Sequence, residues 1–77
     1  MFLNELKKGD QANIVRITDD LFRTKLLEMG IMPGTLITLF FKAPFNGPIA
    51  FSYENSLLSI RKEDANNILV EKMMHHK

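Results

Sequence analysis

The sequence has no cysteine and no tryptophan, and only one tyrosine, three prolines and four glycines in 77 residues. Without cysteine there is no disulfide, no thiolate nucleophile and no zinc–sulfur centre. Both histidines, His75 and His76, are adjacent in the tail, where neighbouring side chains point apart and make no ready chelate. They read as a solvated tail, and the rest of the chain lacks the usual nucleophile–base pairs. Charge of either sign is not in excess: ten Lys and Arg stand against nine Asp and Glu, a net +1. That balance gives no phosphate-neutralising patch, so no nucleic-acid partner is expected. No apolar run approaches the roughly 20 residues that span a bilayer. Met1-Phe2-Leu3-Asn4-Glu5-Leu6 lacks the basic start and apolar core of a signal peptide. The expectation is a soluble, cytoplasmic product without membrane insertion.

What is there is short and heavily punctuated. The length allows one domain with one small core. A chain this size buries only about 60–65% of its unfolded surface, so most large apolar residues belong inside. Every glycine and proline falls between apolar segments. The most informative run is Leu26 to Thr35. Gly30 follows an apolar helical stripe of Phe22, Leu26 and Met29, widened by Leu27, and stands where a helix ends in the left-handed conformation. If so, Ile31 folds back on Leu26. Pro33-Gly34 has the residues of a type II turn, and Thr35 opens a strand.

The remaining pieces follow the same rules. Leu3–Leu6 reads as one helical turn, and Ala12–Thr18 as a strand. Its apolar phase, Ala12, Ile14, then Ile17, needs a bulge near Val15-Arg16. Asp19 or Asp20 caps the helix; this pair reads as a cap rather than a metal or acid–base site. Glu63-Asp64 beside Arg61-Lys62 reads as a solvated face. Alternation over Leu36–Lys42 puts Ile37, Leu39 and Phe41 on one face and Leu36, Thr38, Phe40 and Lys42 on the other. Residues 43–48 form a loop that includes Gly47. Further strands hold Ile49, Phe51 and Tyr53, then Leu58 and Ile60, then Ile68, Leu69 and Val70, with a helical turn over Arg61–Asn66. Five short strands, one short α-helix and one or two single helical turns give a mainly β fold, a small barrel whose closure leaves few unpaired edges. Phe40 and Phe41 on opposite faces mean that one fills the core and the other needs a cover. Phe45, at a loop tip, is a second exposed aromatic.

The order of these motifs resembles the FeoA family of small SH3-like barrels, accessory to bacterial ferrous iron uptake. Leu3, Leu6 and Gly9 resemble its opening. Lys25-Leu26-Leu27-Glu28-Met29-Gly30-Ile31 with Pro33-Gly34-Thr35 is similar to its most specific segment. Gly47-Pro48-Ile49 and Leu58-Ser59-Ile60-Arg61-Lys62 with Asp64-Ala65 resemble its middle loop and closing signature. Asn46 and Asn55 stand where the family often has glycine, and asparagine tolerates the left-handed conformation. The resemblance implies a non-enzymatic adaptor with no cofactor and no fixed metal site. Its implied partner is the ferrous iron transporter FeoB on the cytosolic side, through the transporter's GTP-hydrolysing region, which would hold the protein peripheral to the inner membrane.

The candidate contact residues are Leu26, Met29, Phe40, Lys42 and Phe45, while Gly30, Pro33, Gly34 and Gly47 serve the turns. For Leu26 the competing reading is burial against Ile31. An alternative function is a regulatory domain acting on a metal-dependent transcriptional repressor, because similar barrels occur in such proteins. Another is a generic interaction barrel, which the scarcity of tyrosine and tryptophan disfavours for proline-rich ligands. An uncovered Phe40 face or a free strand edge would drive self-association.

Overall fold

The computed structural model describes residues 1–74; His75 and His76 lie outside the described residues. A single 3-10 turn, Leu3–Glu5, precedes five strands and two helices. The strands are β1 (Gln11–Ile17), β2 (Leu36–Lys42), β3 (Ile49–Tyr53), β4 (Ser56–Ile60) and β5 (Ile68–Lys72). Helix α1 (Asp20–Glu28) joins β1 to β2, and the short α2 (Lys62–Ala65) joins β4 to β5. All pairings are antiparallel, in the order β4-β3-β2-β1-β5.

Two bulges bend this sheet. Ile14 faces Val70 and Arg16 faces Leu69, so Val15 and Arg16 together oppose one residue. This is the break that the apolar phase of β1 requires, and it leaves Ala12, Ile14 and Ile17 buried and Val15 exposed. The second bulge corrects the reading of β2. Leu39 faces Phe51 and Phe41 faces Ala50, so Phe40 is the extra residue. Strict alternation ends at Leu39, and Phe41 does not enter the core: Phe40 is 54% and Phe41 49% exposed.

The core lies inside the curve of the sheet. Phe51, Ile37, Leu39, Ile14 and Ile68 meet Leu3 and Leu6 from the first turn and Leu26 and Ile31 from the end of α1. No side-chain polar atom among the described residues is buried without a hydrogen-bond partner. Curvature brings the sheet around the core, but β4 and β5 do not pair with each other. The outer edge of β5 is covered by the first two residues: Val70 N–H donates to the Met1 carbonyl at 2.7 Å, and Phe2 bridges to Leu69. The outer edge of β4 pairs with no backbone segment among the described residues.

Candidate protein-interaction surface

The segment from α1 to β2 is built as a stop and a turn. The Asp19 carboxylate accepts from the Phe22 N–H at 2.9 Å and caps α1, while Asp20 pairs with Arg23 at 2.8 Å. At the other end Gly30 has φ +84°, Gly30 N–H donates to Leu27 O, and Ile31 N–H donates to Leu26 O, both at 2.9 Å. These two bonds define the Schellman stop, and the apolar contact that accompanies it is Leu26 against Ile31. Pro33-Gly34 follows as a turn in which Thr35 N–H reaches Met32 O at 3.0 Å, with Gly34 at φ +96°. Gly34 N–H also donates to Ile14 O at 2.7 Å, which fastens the turn to β1.

Leu26 is therefore a core residue. It is 2% exposed, and as a surface contact it is withdrawn, because the helix stop turns it inward beneath Ile31. Leu27, by contrast, faces outward. Met29 is 43% exposed. It lines, with Phe22, one wall of an apolar groove of about 220 Å³; Leu58 and Ile60 of β4 form the other wall. Lys25, Arg61 and Asp64 stand at its rim. Arg61 Nε lies 3.2 Å from Asp64 Oδ2, and this carboxylate raises the pKa of the guanidinium further, so Arg61 is a permanent cation.

A second exposed region runs along the β2–β3 hairpin. Phe45 is 99% exposed and has φ +59°, as does Asn46. A bulky side chain in the left-handed region is uncommon and costs on the order of 1–2 kcal/mol. Gly47 contributes differently from the expectation for a turn glycine, because its φ is not positive. A Cβ there would stand 2.8 Å from Ala43 Cβ and 3.0 Å from Pro44 O, so the position requires space rather than left-handed freedom. Likewise Glu54 and not Asn55 takes positive φ in the next hairpin. Lys42 pairs with Ile49, past the bulge, and its Nζ donates to Asn4 O at 2.7 Å. Lys62 Nζ donates to Asn46 Oδ1 at 2.6 Å beside it.

The structure thus places Met29 in the groove and Phe40, Lys42 and Phe45 along the hairpin, two regions rather than one. Phe41 and Leu57 are exposed residues that sequence alternation did not single out. The signal for Leu57 was present, an uncharged Ser-Leu-Leu-Ser-Ile strand, but strand order decides whether such a strand is covered. Among the described residues no group of three or more His, Asp or Glu side chains could hold a metal ion.

The FeoA domain family model matches residues 1–72. This chain belongs to the FeoA family. A relative in Porphyromonas gingivalis, an Fe(2+) transport protein A/Fe(2+) transporter FeoB fusion protein, is 43% identical over 72 residues, covering 92% of this chain. The chain spans only 8% of that relative's length. A FeoA-like protein from Clostridium acetobutylicum, solved by NMR, is 36% identical with a TM-score of 0.85, over all of this chain and 91% of that one. FeoA of Stenotrophomonas maltophilia, a prokaryotic SH3 domain protein crystallised with zinc, has a TM-score of 0.80 at 22% identity, over 92% and 89% of the two chains. That last likeness is one of fold: the FeoA fold is the SH3-like arrangement described above.

Proposed function

We propose that this protein is an adaptor of ferrous iron uptake that binds the cytosolic, GTP-hydrolysing region of the transporter FeoB and modulates its activity or assembly. The observation that carries this reading is the Porphyromonas gingivalis relative, in which the same domain and the transporter share one polypeptide. Fusion converts association into an intramolecular event, which favours partners that work in contact. Exposed apolar residues without catalytic geometry suit that role. Met29, Phe40, Lys42 and Phe45 are the candidate contacts, and the partner is met on the cytosolic side of the membrane. No helix among the described residues is long and apolar enough to cross a membrane, so any membrane association comes through the partner in this reading.

The decisive experiment measures GTP hydrolysis by the purified transporter with and without this protein, alongside pull-down from membranes. A changed rate or nucleotide-dependent capture supports the proposal. No capture in any nucleotide state, with no change in rate, removes it.

A further inference from the structure

The register of the β3–β4 hairpin determines which backbone groups are spare. Tyr53 faces Ser56 across a two-residue loop, which makes that pair hydrogen-bonded. Alternation then assigns the Phe51–Leu58 and Ile49–Ile60 pairs to hydrogen bonding as well. The N–H and C=O groups of Leu57 and Ser59 therefore point away from β3. Neither residue has another hydrogen-bond partner among the described residues. Both side chains are exposed.

This edge is also unguarded. Proteins blunt bare edges with lysine, proline, a bulge or a covering segment. The β5 edge has its cover in Met1 and Phe2. β4, Ser56-Leu57-Leu58-Ser59-Ile60, has no charge, no proline and no bulge. Along the same strand runs the apolar groove between α1 and β4, with Phe22 and Met29 opposite Leu58 and Ile60. Unused donors and acceptors beside an apolar trough are the two requirements for strand addition: main-chain bonds hold the incoming chain and alternate side chains fill the trough.

We infer that β4 is the docking strand for an extended segment of the partner protein, which adds a sixth strand at this edge and lays alternate apolar side chains into the groove between α1 and β4. This rests on the adaptor reading above and specifies its mode of binding. A second copy of this chain fits less well. Pairing two β4 edges symmetrically about Leu58 carries both α1 helices to the same side of the joined sheet, the side that holds the troughs. A single extended segment brings no such helix. Lys25 at the rim is in no ion pair among the described residues, whereas Arg61 is held by Asp64. The incoming segment is therefore apolar at alternate positions, with an acidic residue where it passes Lys25.

The test uses the full chain and the purified cytosolic region of the transporter. Ser59→Pro removes one outward donor at an edge position where proline is tolerated. Binding is expected to weaken about tenfold, equivalent to about 1.4 kcal/mol. In the unmodified protein, the Leu57 and Ser59 amides are expected to exchange with solvent at least about tenfold more slowly in the complex. That second measurement stands even if the proline variant fails to fold. Wild-type affinity in a folded Ser59→Pro protein, or unchanged exchange at both amides in a formed complex, overturns strand addition and leaves the adaptor reading intact. Absence of any complex overturns both. A wild-type dimer that Ser59→Pro dissolves shows that the edge serves a second copy, and overturns the assignment to a partner.

Discussion

Ile31 N–H donates to the Leu26 carbonyl at 2.9 Å, and the two side chains are both buried in the core. One turn of backbone thus ends α1, and the same contact anchors it to the sheet. Leu26→Ala removes the side chain at the centre of this lock and is expected to cost about 2–5 kcal/mol. Gly30→Ala meets no atom within 4 Å, so its cost is the left-handed backbone alone, about 1 kcal/mol or somewhat more. Urea denaturation of the two variants checks both values. A Gly30→Ala loss as large as that of Leu26→Ala would mean that the stop does more than set φ.

Phe45 is expected to trade stability for contact. Asparagine accepts the left-handed conformation far better than phenylalanine, and the side chain at 99% exposure packs on nothing. Phe45→Asn should raise stability by about 1 kcal/mol, a gain of roughly 4–8 °C in Tm for a domain this size. In pull-down with the transporter, the same variant should bind more weakly. A higher Tm with unchanged binding excludes Phe45 from the contact surface.

Asp10 makes the fold sensitive to acid. Its carboxylate accepts from the Lys7 N–H at 2.8 Å, the largest influence, and lies 3.5 Å from Lys72 Nζ. Together these hold its pKa below the ordinary 3.8. A depressed carboxylate pKa stabilises the folded state above the unfolded value, and the benefit disappears as pH falls through the folded value. Asp10→Asn should therefore melt below wild type at pH near 6, with the gap closing as pH drops beneath 3.8. Thermal melts across that range test it, and a gap that does not change with pH assigns the loss to something other than charge.

Some of this architecture is written plainly in the chain. The bulge at Val15-Arg16 shows itself because polar and apolar positions change phase there. The bulge at Phe40 does not, since Leu36-Ile37-Thr38-Leu39-Phe40-Phe41 is apolar almost throughout and a phase change leaves no mark. Gly30 and Pro33-Gly34 are legible because only a few residue types satisfy their backbone. The Pro44–Gly47 turn is less so: glycine advertises positive φ, yet Phe45 and Asn46 adopt it while Gly47 yields space to Ala43. The bare edge of β4 could not be read at all. It depends on which strands end the sheet, a property of chain order in space rather than of any local run.

The pairing of Met1 with Val70 has a consequence for folding. β1 has β2 on one side and waits for β5 on the other, so its second neighbour is the last of the five strands in sequence. Before β5 docks, the chain holds a three-strand meander of local contacts, β2 to β4, with an orphan flank on β1. The Met1 amino group donates to the Val70 carbonyl at 3.3 Å across a sequence separation of 69. Completion of the domain is thus a late, long-range event, and its folding rate should be governed by closure of that span rather than by the fast hairpins within it.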